Sequence, residues 1–312
     1  MASGTIRTAV MALALLAGAV KAQSIRVQTT PTSSTVHVDD RLLMEYRLGE
    51  VPFKPYVRQL LSPGGINILR DAPADHLHHH GLMFAIAADG VDFWAETDNC
   101  GRQIHRSAQS DASGENDSQR ATLTEQLDWV GADGAAILQE QRTLTLHTAR
   151  NLPATLLTWR TVLRPADGKD QVKLTGSHYF GLGMRFLQSM DKDGEWIFPQ
   201  KRSEPTTVRG DEKLTRAAWC AYTAAADGKP VTVALFDHPK NLRHPCHFFT
   251  MTIPFSYMSA TTNLWKDPVM LPKSASLNLC YGVAVFDGKA TVAQIDKVYL
   301  RWMGMNGVSF EP

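Results

Sequence analysis

Apolar and polar residues alternate with a period of two along most of the chain, in short runs broken by turn residues. Between 139 and 146 the alternation places Gln139, Gln141, Thr143 and Thr145 on one face and Glu140, Arg142, Leu144 and Leu146 on the other. That is the pattern of a strand with one buried side. The same reading predicts strands over 24–29, 35–38, 42–46, 56–61, 82–87, 121–129, 136–146, 155–163 and 171–180. The last third adds 219–224, 231–236, 248–253 and 276–286. Six Asp-Gly dipeptides, beginning at 89, 133, 167, 193, 227 and 287, supply hairpin turns between such runs. One short helix is expected, over 290–297, and the polar stretch 109–119 reads as a long surface loop. So many strands exceed the ~100 residues of an immunoglobulin-type fold, and the expected architecture is all-β, a large two-sheet β-sandwich.

The first residues break this pattern. Arg7 precedes an almost wholly apolar run over 9–20, and Val20-Lys21-Ala22 offers small residues at a cleavage site. Residues 1–22 therefore read as a secretion signal, the run being short of the ~20 residues a membrane span needs. The expectation is a periplasmic or secreted protein, one domain over 23–312, with no membrane span after signal removal. A formal net charge of +1 and the lack of any Lys/Arg cluster leave no electrostatic footprint for nucleic acid. Cys100, Cys220, Cys246 and Cys280 could form up to two disulfides or serve as small buried hydrophobes.

Chemistry concentrates in two places. Asp75-His76-Leu77-His78-His79-His80-Gly81 holds four of the eleven histidines. In an extended segment His76, His78 and His80 would share one face. Such a cluster can act as general acid or base and could also hold a divalent metal. The second is Asp237-His238-Pro239-Lys240-Asn241-Leu242-Arg243-His244-Pro245-Cys246-His247, which follows an apolar strand. Its Asn241, Arg243 and His244 are forks suited to hydroxyls or a carboxylate, unless the stretch is only a proline-stiffened turn. Three smaller features join them. His178 to Arg185 combines two glycines with an arginine. Trp94, between Asp92 and Glu96, could be a sugar platform or a core residue. Glu140 faces inward beside Arg142, as a simple ion pair or as a catalytic base.

Three motifs in order resemble the PmoA-like family of exported bacterial proteins: Asp75-His76-x-His78-His79 running into Gly81-Leu82-x-Phe84-Ala85, then Gly90 to Glu96, then Asp237-His238-Pro239 to Pro245. The resemblance spans roughly residues 60–286. It implies a galactose-mutarotase-like supersandwich and a link to carbohydrate breakdown. Leu77, His80 and Cys246 stand where that family usually has Pro, Arg and Thr.

Three functions follow. The first is an enzyme acting on a sugar or glycoside by hydrolysis, elimination from a keto-sugar or epimerisation. His78 or His79 would be one proton-transfer partner, and Glu140 or His238 the other. Asp75, His76, Trp94, Arg185, Asn241, Arg243 and His244 would bind the substrate. The second is a non-catalytic carbohydrate-binding protein with Trp94, Trp196, Trp219 and Trp265 as platforms. The third takes the family name literally, as an oxygenase component with a redox metal.

Overall fold

The computed structural model describes residue 1 and residues 24–115, 118–149 and 151–305. The expected secretion signal lies, apart from Met1, outside the described residues. Strands fill most of the rest, and every pairing in the ladders is antiparallel.

Two large sheets form a sandwich. The ten-stranded sheet runs, in spatial order, Ile25–Thr29, Ser33–Val38, Arg41–Arg47, Tyr56–Leu60, Leu82–Ala85, Gly181–Arg185, Tyr257–Thr261, His247–Met251, Glu212–Arg216 and Thr206–Arg209. The eight-stranded sheet runs Glu195–Ile197, Trp219–Ala226, Lys229–Asp237, Leu277–Asp287, Ala154–Pro165, Ala136–Ala149, Ser118–Val130 and Arg102–Glu115. Their facing sides meet through aromatic pairs, Phe84 on Trp129 at 6.0 Å and Tyr46 on Trp159 at 6.4 Å. A small sheet of Val269–Pro272, Gln171–Thr175, Ala87–Ala88 and Val91–Asp92 stands beside them. This is the large two-sheet architecture that the period-two pattern calls for.

Local chemistry explains the details. In Ala136–Ala149, Glu140, Arg142, Leu144 and Leu146 are buried while Gln139 and Gln141 are exposed. Asp89-Gly90 and Asp227-Gly228 both have positive φ at each residue, 49° with 80° and 49° with 81°. They close two-residue hairpins, as type I′ turns require. Thr291 and Gln294 cap the helix Val292–Met305 reciprocally, at 2.8 and 3.3 Å. The helix runs well past residue 297, because Ile295, Val298, Tyr299 and Trp302 bury against Phe236 and Ala284 of the eight-stranded sheet.

Two expectations are corrected. The stretch 109–119 is no loop: its described residues belong to the long edge hairpin of Arg102–Glu115 with Ser118–Val130. Its outer strand is exposed on both sides there, so no alternation marks it, and the ladder to buried Ala121 and Leu123 holds it. The run 171–180 divides at Thr175, and the next strand, Gly181–Arg185, joins a different sheet.

Candidate active site

The histidine segment folds back on itself. An antiparallel bridge pairs Asp71 with His80, so the residues between must turn. The His76 N–H donates to the Pro73 carbonyl and the His79 N–H to the His76 carbonyl, both at 2.9 Å. The extended arrangement with His76, His78 and His80 on one face is therefore replaced by two successive turns. Within them His76 stacks on His79 at 4.7 Å, and His78 meets His76 and His79 edge-on at 5.6 and 4.5 Å.

His80 leaves the group. Its Nδ1 lies 2.8 Å from Asp71 and its Nε2 3.1 Å from Glu96, and its ring stacks on Tyr56 at 4.4 Å. Glu96 also pairs with the wholly buried Lys54. Burial opposes a charge on His80, but the two carboxylate hydrogen bonds prevail and raise its pKa. Burial drives the Lys54 ammonium down, with Glu96 pulling against it.

His76, His78 and His79 instead line a cavity of about 660 Å³ with Trp94, Tyr179, Glu212, Phe249 and Tyr257. Arg185 pairs in register with Tyr257, so both point away from the inward-facing Phe84 and Leu82 neighbours, onto the outer face of the ten-stranded sheet. Gly183 makes room there, since a Cβ at this position would stand 1.8 Å from the Tyr257 hydroxyl. Trp94 stacks on Phe180 at 5.1 Å and meets Tyr257 edge-on at 6.0 Å.

Several polar atoms here lack partners, three of them on residues that line the cavity (His79, Trp94 and Tyr257) and two on Arg185, which does not line it. The His79 Nδ1, Trp94 Nε1, Tyr257 hydroxyl and Arg185 Nε and Nη1 are all buried without a hydrogen bond. Arg185 lies over the Phe255 ring at 3.4 Å and donates once, to Asp75 at 3.3 Å. Burial lowers its pKa. Burial, helped by the neighbouring His78, His76 and Arg185, pushes His79 down to about 2. Burial and the Lys54 charge lower His78 too, so both imidazoles are neutral near pH 7.

One residue that the sequence does not mark, Glu212, also lines the cavity. Glu212 accepts from Arg209 at 2.6 Å and sits 3.1 Å from the His178 Nε2. His178 falls within a motif noted in the sequence, but Glu212 is one acid in an unpatterned polar stretch. Only the pairing of Glu212–Arg216 with His247–Met251 brings it to the cavity.

The remaining sequence candidates lie elsewhere. Glu140 is in the core between the sheets, with all its bonds taken: Arg142 at 2.9 and 2.8 Å, Trp129 at 2.8 Å and Thr161 at 2.9 Å. In the second loop, buried Asp237 accepts from Asn241 at 2.7 Å and from the Cys246 N–H at 2.8 Å, and lies 2.7 Å from the His244 Nδ1. Asn241 spends its amide on the Cys280 backbone, and Arg243 donates to the Thr262 carbonyl and pairs with Asp267. His238 accepts from the Lys240 N–H and meets Trp302 of the helix at 5.7 Å. None of Asp75, Glu140, Arg185, His238, Asn241, Arg243 and His244 lines the cavity, although Asp75 bonds His76, which does. Trp219 bonds Asp296 under the helix and Trp196 packs on Tyr222, while Trp265 is exposed and meets His178 edge-on at 6.1 Å. All four cysteines are buried and unbridged. Among the described residues no group of three or more His, Cys, Asp or Glu is placed to hold a metal ion.

Known structures share this architecture. A Klebsiella pneumoniae protein assigned as an aldose 1-epimerase superposes with a TM-score of 0.52 at 11% identity, over 92% of this chain and 90% of its own. A galactose mutarotase-like protein from Clostridium acetobutylicum gives 0.45 at 10% identity, over 86% and 99%. The GH36 α-galactosidase AgaA of Geobacillus stearothermophilus gives 0.47 at 10% identity, over 85% of this chain but 41% of that one. The chain thus spans well under half of the galactosidase. At such identity the likeness is one of fold, a galactose-mutarotase-like β-sandwich. No curated protein matches the chain in sequence. One family profile does, over residues 33–300, and by it the chain belongs to DUF6807, a family of unknown function.

Proposed function

We propose that this protein is an exported enzyme that acts on a sugar or glycoside held in the His76–His79 cavity. One observation carries the reading: unpartnered polar atoms of His79, Trp94 and Tyr257 gather at one wall of an aromatic-lined cavity. Unpaired buried polar groups are few in folded proteins and call for an explanation. A ligand whose hydroxyls alternate with C–H faces supplies both the missing hydrogen bonds and a surface for Trp94, Tyr179 and Phe249 to stack on. The sandwich shared with a protein assigned as an aldose 1-epimerase agrees with this ligand class.

Two groups at the wall can exchange protons with a sugar. Glu212 is a carboxylate oriented by His178 and Arg209. His78 is an imidazole kept neutral by burial and the Lys54 charge. Such a pair serves hydrolysis, elimination from a keto-sugar and epimerisation alike. His79 is a fixed neutral hydrogen-bonding group, because acquiring a charge there is too costly. Asp75, held below the usual carboxylate range by His76 and Arg185 against the opposing effect of burial, orients both. The motif resemblance to PmoA-like proteins, with its carbohydrate link, agrees with this reading.

The test is a proton NMR time course of the mature protein with pooled aldoses, glycosides and their 3-keto derivatives. New anomeric or enone signals, lost in Glu212→Gln and in His78→Gln, are expected. Selective line broadening without conversion would make it a binding protein, and unchanged spectra would contradict the proposal.

A further inference from the structure

We infer that the sugar taken by this cavity carries an apolar aglycone, aromatic or alkyl, which lies at the cavity mouth. The inference rests on the sugar reading above and names the class of molecule for the same site.

The cavity is divided chemically. Its unpartnered polar atoms sit together, on rings in mutual contact: His79 with Tyr257 at 5.3 Å and Trp94 with Tyr257 at 6.0 Å. Another part of the lining is Met251, Ile253 and Pro254, whose side chains offer no strong hydrogen-bonding group. A sugar hydroxyl turned to these three side chains would lose its water and gain no partner from them, while the Asp211 carboxylate beside them accepts from the Thr252 and Ile253 N–H groups. An apolar substituent would lose nothing and be removed from water.

Exposure tells the same story. Apart from Met1, Ile253 (73%) and Leu77 (65%) are the most exposed large apolar side chains among the described residues. Ile253 lines this cavity directly, and Leu77 stands between His76 and His78, which both do. Trp265, 43% exposed, meets His178 beside Glu212. An exposed apolar side chain such as Ile253 on the lining of a cavity marks a surface ready to take an apolar group out of water. The volume of about 660 Å³ lies within the roughly 300–1,000 Å³ of pockets that enclose drug-sized ligands, which leaves space beyond one sugar ring.

The experiment is calorimetric titration of the intact protein with matched methyl and phenyl glycosides of glucose, galactose, mannose and xylose, and with the corresponding disaccharides. For the sugar that binds, the phenyl glycoside is expected to bind at least about ten-fold tighter than the methyl glycoside, from the apolar area it buries. The double variant Leu77→Ser/Ile253→Ser is expected to bring the ratio of phenyl to methyl glycoside affinity close to one. Both side chains are exposed, so folding is not at stake. Equal affinities, tighter binding of a disaccharide than of the phenyl glycoside, or a preference that survives in the double variant would overturn the inference and leave the sugar reading standing. If no glycoside binds, the sugar reading itself fails, and this inference with it.

Discussion

His79 and Tyr257 lie with ring centroids 5.3 Å apart, both buried, and neither the imidazole Nδ1 nor the phenol hydroxyl has a hydrogen-bond partner. A buried polar group left unpaired costs about 1–3 kcal/mol, and packing alone gives no return for it. Tyr257→Phe removes the unpaired hydroxyl and keeps the ring. Its unfolding free energy in urea is expected to equal or exceed that of the wild type, by up to about 1 kcal/mol. Its affinity for the bound sugar is expected to fall by about ten-fold. A destabilised variant with undiminished affinity would make the hydroxyl a structural group.

Gly183 and Tyr257 are coupled through space. A Cβ at position 183 would lie 1.8 Å from the Tyr257 hydroxyl and 2.7 Å from the ring carbon that bears it. Gly183→Ala is therefore expected to destabilise by about 1–3 kcal/mol, the usual cost of overpacking. In the Tyr257→Phe background that loss should shrink, which a double-mutant cycle of urea melts reads directly. Additive effects would show that the two groups do not meet.

Acid should weaken the fold through His79. Its pKa falls from about 6.5 in the unfolded chain to about 2, chiefly by burial. Between those values the unfolded chain binds a proton that the native ring refuses. Its contribution is thus complete above pH 6.5 and is lost as the pH falls through the window, by up to about 1.4 kcal/mol per unit. His80 has the opposite sign. Its raised pKa gives stability that is complete below pH 6.5 and lost as the pH rises through the folded value. Urea melts from pH 6.5 to 4.5 should show a shallower loss in His79→Phe than in the wild type, and equal slopes would contradict this assignment.

Glu140 separates structure from chemistry. Glu140→Gln leaves the Arg142 guanidinium buried without its counter-charge, and breaking such a pair costs about 3–5 kcal/mol. Unfolding should be easier by that order, while turnover by the folded fraction remains at the wild-type level. A stable variant without activity would return Glu140 to the chemistry.

The fold was legible because its signals are local. Alternation marks one-sided strands such as Ala136–Ala149, and Asp227-Gly228 has the residues a type I′ turn demands. The outer edge hairpin escaped because a strand solvated on both sides has no alternation to read. Half of the site was legible for a similar reason: four histidines in five residues stand out in any conformation. Their arrangement was not, since the Asp71–His80 bridge that forces the turns is long-range. Glu212 and Tyr257 carry no local signal and arrive through pairing with distant strands. Asn241 and Glu140 show the converse, groups suited to binding or catalysis by type whose hydrogen bonds are all spent inside the protein.

The most direct test is a titration of the imidazole and indole nitrogen resonances with pooled aldoses and glycosides. The signals of His78, His79 and the Trp94 indole are expected to move together on binding, while those of His147 and His244 stay in place. Binding that shifts His238 or His244 and leaves the cavity histidines unmoved would contradict the proposed site.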